Sequence, residues 1–247
     1  MSPSLSRRLL TRGALALALL ATPARAADQE STELTALDAW KAPTGAWAEV
    51  GAVTLAPRNP RRLATEAGDG VLYNGPTGRT GNLLSKRDFG DVEAHFEFLV
   101  PKGSNSGVKF QGLYEVQIFD SWGKPNADAS DCGGIYPRAE LLPNYHHIDD
   151  GFPPRQNACK PPGEWQTLDV TFCAPRFDAS GKKVANARFL KVVLNGKVVQ
   201  EDVDVPSPTG HAWRDREVAA GPLLLQADHG PVAFRNIRVR APKGDRP

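Results

Sequence analysis

Val92-Glu93-Ala94-His95-Phe96-Glu97-Phe98 decides the fold, because apolar and polar side chains alternate one for one along it. A period of two marks a β-strand with one face in a core and the other in solvent. The same pattern recurs where Leu168, Val170 and Phe172 alternate with Thr167, Asp169 and Thr171. Phe189 to Leu194, then Asn195-Gly196, then Lys197-Val198-Val199 reads as a β-hairpin, since Asn-Gly supplies the positive φ angles of a type I′ turn. Trp47–Leu55, Gly70–Tyr73, Ser106–Gln111, Tyr114–Phe119, Leu223–Ala227 and Val232–Val239 are further strands. No segment sustains a helical period. Roughly ten short strands without helices between them predict an all-β chain of two antiparallel sheets packed face to face.

The first residues read as an export leader. Ser6-Arg7-Arg8-Leu9-Leu10 is basic, Ala14 to Ala21 is apolar, and Ala24-Arg25-Ala26 offers small residues for cleavage after Ala26. The arginine pair points to the twin-arginine route. A periplasmic or secreted protein is therefore expected, with residues 1–26 as signal peptide and 27–247 as a single domain. The apolar run is shorter than the ~20 residues a membrane span needs, so no membrane partner is expected. Four arginines and no acids lie in the leader, so the net charge of +2 for the whole chain becomes −2 without it. That balance removes the basic patch that nucleic-acid binding requires.

Cys132 and Cys159 sit in loop-like sequence next to Gly133-Gly134 and Pro161-Pro162, whereas Cys173 sits in a strand pattern. In an oxidising compartment this favours a Cys132–Cys159 disulfide. The cysteine spacings match no usual zinc pattern. The stretch from Ser121 to Glu164 carries seven prolines and no strand pattern, and an excursion of that length in a compact domain usually serves as one wall of a site.

Tyr114 to Asp120 is the most polar strand. Glu115 and Gln117 project to one side, Val116 and Ile118 to the other. Lys109 and Gln111 share a face upstream; Gln226 and Asp228 alternate with Leu225 and Ala227 downstream, and His229-Gly230 follows. Glu93 and Glu97 share one face of an earlier strand. If these strands are neighbours, amides and carboxylates gather in one patch suited to sugar hydroxyls, which donate and accept hydrogen bonds. Tyr136, with Tyr114, Trp122 and Trp165, supplies aromatic surface that either stacks on a sugar ring or fills the core. Asp228 beside His229 is the best acid–base pair, since a carboxylate orients an imidazole and tunes it toward the working pH. His146, His147, Asp149 and Asp150 form a weaker, metal-like cluster.

An ordered set of motifs carries a resemblance. Phe89-Gly90-Asp91-Val92-Glu93, Ser104-Asn105-Ser106-Gly107-Val108, Tyr114-Glu115-Val116-Gln117 with Asp120, and Gly133-Gly134-Ile135-Tyr136 come first. Pro161 to Trp165, Leu194-Asn195-Gly196, Leu225 to Gly230 and Phe234-Arg235-Asn236-Ile237 follow. Over about residues 35–241 the chain resembles the 3-keto-disaccharide hydrolase family. The resemblance implies a concanavalin-A-like jelly roll that cleaves glycosidic bonds in sugars already oxidised at C3. It implies a 3-keto-glycoside as substrate, with Glu115 and His229 as base and acid in either order and Asp228 beside them. Lys109 and Gln111 would serve the enolate oxygen, and Gln117, Gln226, Tyr136 and Glu97 would hold the sugar. No cofactor is required by the sequence, and a divalent metal polarising the ketone is compatible with the same chemistry.

Two other readings compete. Glu115-x-Gln117-x-x-Asp120 is a distorted echo of the Glu-x-Asp-x-x-Glu strand of laminarinase-type glucanases of this fold, which need two carboxylates ~5 Å apart. A lectin-like module that binds glycans without cleaving them is the third, because a fold alone does not fix function.

Overall fold

The structure is a computed structural model that describes residues 31–42 and 45–242. The leader expected over residues 1–26 lies outside the described residues. Sixteen strands run in chain order: β1 (Thr32–Glu33), β2 (Ala48–Ala56), β3 (Asn59–Tyr73), β4 (Leu83–Phe89), β5 (Val92–Leu99), β6 (Asn105–Phe110), β7 (Tyr114–Phe119) and β8 (Ala139–Glu140), then β9 (His146–His147), β10 (Gln166–Cys173), β11 (Arg176–Phe177), β12 (Lys183–Ala185), β13 (Ala187–Leu194), β14 (Lys197–Val205), β15 (Gly221–Leu225) and β16 (Ala233–Arg240). Leu37–Ala39 is a short 3-10 turn, and there is no α-helix among the described residues.

The main sheet has the order β14-β13-β10-β5-β16-β3-β2, with β1 beside β16. A smaller sheet, β4-β15-β6-β7, packs over it, and all strand pairs in both are antiparallel. The result is a jelly-roll sandwich. The alternation along β5 is seen directly: Val92, Ala94, Phe96 and Phe98 are buried between the sheets and Glu93, His95 and Glu97 face outward. Phe110 of β6 stacks on Phe172 of β10 at 5.0 Å and meets Phe189 of β13 edge-on at 5.6 Å, so three rings lock one sheet to the other. Asn195 and Gly196 have φ of 51° and 76°, as the β13–β14 hairpin requires.

Two elements exceed the sequence reading. β3 begins at Asn59 rather than Gly70, because its first two-thirds pair with β2 while exposing mostly polar side chains. β4 shows no alternation strong enough to find it, with Lys86, Arg87 and Asp88 in a row.

Candidate active site

The chemistry-bearing face is the outer face of the small sheet, and the register of β6 and β7 builds it. Lys109 lies directly opposite Glu115, and Gly107 opposite Gln117. Cross-strand partners have Cβ atoms about 5 Å apart, close enough for the ammonium to reach the carboxylate. Lys109 Nζ sits 3.0 Å from Glu115 Oε2, with both groups almost sealed from solvent. Glu115 leans over Gly107, where an added Cβ would lie 2.1 Å from Oε1. A glycine is thus needed here for close approach, not for backbone freedom.

β15 completes the floor. Leu224 pairs with Lys109, and the amide of Gln226, just past the strand end, donates to the Gly107 carbonyl at 2.9 Å. The chain then turns through Asp228-His229-Gly230. Asn74, fully buried, clamps that turn: its Nδ2 donates to the carbonyls of Ala227 and Gly230, and its Oδ1 accepts from the Val232 amide. Asn82 Oδ1 accepts from the Ala227 amide at 2.9 Å. On this support His229 Nδ1 lies 2.5 Å from Asp228 Oδ1. A donated Nδ1–H fixes the tautomer in which Nε2 carries the free lone pair.

The walls come from the two long connections. Residues 133–136 run along the free edge of β7: the Tyr136 amide donates to the Glu115 carbonyl and the Gln117 amide to the Gly134 carbonyl. This places the Tyr136 ring over the floor. The Tyr136 hydroxyl accepts from Tyr145 at 3.0 Å and sits 3.1 Å from His147 Nε2. Burial first, and then the contact with Tyr145, pushes the Tyr136 phenol above its usual range. From the other side, Thr209 Oγ1 accepts from the Glu115 amide and anchors the segment that carries Gly210 and His211.

Together these side chains enclose a cleft of about 420 Å³ lined by Lys109, Glu115, Gln117, Tyr136, Gln226, Asp228 and His229, with Asn82, Asn105, Leu141, Tyr145 and His211. Gln117 Oε1 and Gln226 Oε1 are buried without a hydrogen-bond partner. Two orphaned acceptors beside an acid–base set are what a ligand rich in hydroxyl donors would satisfy.

Several expected residues lie elsewhere. Gln111 does not share the Lys109 face. It sits with φ of 57° beside Gly112 at 71°, in the three-residue turn between β6 and β7, and packs beneath Gly221. The Gln-Gly pair was the available turn signal. Glu97 belongs to the main sheet, whose polar face points away from the cleft, and is held there by Arg235 and Asn236 at 2.7 Å each. Burial alone would raise its carboxyl, but those two partners outweigh it and hold it below the usual range. Tyr114 is core, and Trp165 lies under the Arg235 guanidinium at 4.0 Å on the outer surface.

Cys132 and Cys159 are free thiols and not a disulfide. They face each other through a hydrogen bond that lowers Cys159 to about 6 and, with burial, raises Cys132. Cys159 Sγ also accepts from Gln166 Nε2 at 3.6 Å. His146, His147, Asp149 and Asp150 do not converge either. Asp149 is taken by Arg138 at 2.6 Å, and no group of three or more His, Cys, Asp or Glu gathers among the described residues.

Asp120 settles the comparison with the glucanases. Its Oδ2 accepts from the Gly103 amide at 2.8 Å, on the opposite side from Glu115, so no second carboxylate joins Glu115 along β7. A groove of about 480 Å³ on the outer face of the main sheet holds His95, but Asp169 at 2.7 Å and Glu97 at 4.0 Å already flank that imidazole. It lacks the buried unpartnered acceptors of the cleft.

The 3-keto-alpha-glucoside-1,2-lyase-like domain model matches residues 32–240, which takes in both sheets and every residue of the cleft. The chain belongs to that family. Among solved structures it is similar to a proposed glycosyl hydrolase from Parabacteroides distasonis, at 29% identity over 72% of this chain and 74% of that one, with a TM-score of 0.56. A second such protein from the same organism shares the fold at 21% identity, covering 86% and 100% of the two chains with a TM-score of 0.56. No curated protein matches. Family and neighbours together make this a carbohydrate-active enzyme of the glycoside hydrolase or lyase kind.

Proposed function

We propose that the cleft cleaves 3-keto-glucosides by elimination. A ketone at C3 acidifies the C2 proton. His229 Nε2 takes that proton, with Asp228 fixing the ring and stabilising the imidazolium. The C2–H electron pair moves into the enolate, whose oxygen is met by the Lys109 ammonium. Glu115, 3.0 Å away, holds that ammonium in place. The enolate then re-forms the ketone as the C1–O bond breaks, and the imidazolium carries the proton that the departing oxygen needs. The products are a 1,2-unsaturated 3-keto sugar and the free alcohol, and water adding across C1 and C2 completes a net hydrolysis. Gln117 and Gln226 take hydrogen bonds from the sugar hydroxyls.

One observation carries this reading: a buried Lys109–Glu115 pair and a His229–Asp228 dyad face the same cleft. The family match supports it. The test is incubation with a 3-keto-glucoside beside its unoxidised parent. Cleavage of the keto form alone is expected, with a primary isotope effect when C2 carries deuterium. Cleavage of the unoxidised glucoside at an equal rate, or no isotope effect at C2, would refute elimination. Binding without turnover would leave a lectin. The leader pattern expected over residues 1–26 supports action outside the cytoplasm on such sugars.

A further inference from the structure

The floor and the upper wall of the cleft differ in chemistry. The floor is Lys109, Glu115, Gln117, Gln226 and His229, whereas the wall is the tip of the β8–β9 hairpin, Leu141-Leu142-Pro143-Asn144-Tyr145. Leu141 is 55% exposed, Leu142 80% and Tyr145 49%, three large apolar side chains within five residues. Leu141 and Tyr145 line the same cavity as the acid–base groups.

Two polar groups of this tip are already engaged. The Tyr145 hydroxyl donates to Tyr136, and the Asn144 carbonyl is 2.9 Å from His146 Nδ1. A second sugar ring against this wall would lose water from its hydroxyls and gain few hydrogen bonds in return. An apolar ring would cover Leu141 and lie against Tyr145 with no such loss. The hairpin is not loosely held: Arg138 Nε donates to Asp149 at 2.6 Å, and the Ile148 amide to the Arg138 carbonyl at 2.9 Å. An apolar tip held rigidly over a reactive floor is placed to meet whatever the C1 oxygen carries.

We infer that the leaving-group subsite of this cleft is apolar and selects 3-keto-glucosides whose aglycone is a hydrophobic ring, in preference to 3-keto-disaccharides. The inference rests on the elimination reading above and adds the class of aglycone to it. Leu141 is a specificity-determining side chain, not a catalytic residue.

The experiment compares 2-phenylethyl 3-keto-glucoside with 3-keto-trehalose and methyl 3-keto-glucoside. These aglycones leave as alcohol or sugar hydroxyls, which keeps leaving-group acidity far closer than a phenol would. The phenylethyl substrate is expected to show kcat/KM about tenfold or more above both others, in line with the discrimination a hydrophobic subsite provides. The variant L141S, at an exposed position that the core does not depend on, should reduce that preference several-fold while the melting temperature holds, whereas L142S, outside the cleft lining, should leave it unchanged. Equal efficiency on all three substrates, or a preference untouched by L141S, overturns the apolar subsite and leaves the elimination reading standing. Turnover of none of the three overturns the elimination reading itself, and the subsite with it.

Discussion

Gly107→Ala is the sharpest probe of whether Glu115 takes part in the reaction. The new Cβ would lie 2.1 Å from Glu115 Oε1 and 2.9 Å from its Cδ, whereas ordinary contact starts at 3.4 Å. The carboxylate must therefore retreat by about 1.3 Å along that line, the shortfall from ordinary contact. The strand itself tolerates the change, because Gly107 is not among the glycines with positive φ, and alanine in a strand interior is favoured over glycine by about 0.5 kcal/mol. Moving the carboxylate lengthens its 3.0 Å contact with Lys109 and swings the ammonium away from the enolate oxygen. A misplacement near 1 Å costs about 10²-fold in rate, so kcat/KM on a 3-keto-glucoside should fall about that far while the melting temperature stays within a few degrees. The double variant G107A/E115Q should be no slower than E115Q alone, since both act through one group. A folded G107A enzyme with parental kcat/KM, or losses that simply multiply in the double variant, would refute the role given to Glu115.

Other expectations follow from the same geometry. His229→Ala should lower kcat about 10²-fold or more, with partial rescue by free imidazole, while Asp228→Asn should cost less because it misorients the ring without removing it. Lys109→Met leaves Glu115 buried without its cation, and urea unfolding should show a loss of about 3 kcal/mol, largely recovered by adding Glu115→Gln. Burial would raise Asp149, but Arg138 and the amides of Arg138 and Gly151 outweigh it and lower it. Its stabilisation of the β8–β9 hairpin is thus full above the usual Asp range and lost as pH falls through the lowered value, so hydrogen exchange over 136–152 should quicken below about pH 4. Asp149→Asn should show that faster exchange already at neutral pH. The three cysteines, Cys132, Cys159 and Cys173, should all react with a thiol reagent once the protein is unfolded, and a count of one would restore the disulfide.

The sandwich was legible because its core strands obey period two. β5, β10 and the β13–β14 hairpin stand almost where alternation and Asn-Gly place them. β7 was legible on both faces, which is why Glu115 and Gln117 were found. What escaped was context. Glu97 alternates as cleanly as Glu115, but alternation says only that a side chain faces away from the core, not which of two sheets it sits on. Gln111 failed for a local reason, since its own φ of 57° turns the chain at the last residue of the pattern. Asn74 and Asn82 shape the His229 turn through backbone bonds from distant strands, and nothing in their own sequence neighbourhoods announces that. Compartment chemistry favours a disulfide in the sequence, whereas the folded chain holds Cys132 and Cys159 as thiols, with Gln166 Nε2 donating to Cys159 Sγ.

The division of labour in the cleft follows from these same constraints. The groups proposed to react sit on β6, β7 and the turn after β15, where cross-strand register and the buried Asn74 hold them in place. Tyr136, Leu141, Tyr145 and His211 arrive on connections whose outer side chains carry no packing duty. Substitutions on the connections can then alter which aglycone is accepted at little cost to the fold, whereas substitutions on the floor disturb a buried ion pair and the core beneath it. A family built this way should hold its reaction constant and vary its leaving group. Replacing residues 141–145 with a polar turn of equal length is accordingly expected to change the substrate ranking and leave proton abstraction at C2 detectable by its isotope effect. Loss of that isotope effect along with the ranking would place the hairpin tip in the chemistry itself and refute the separation.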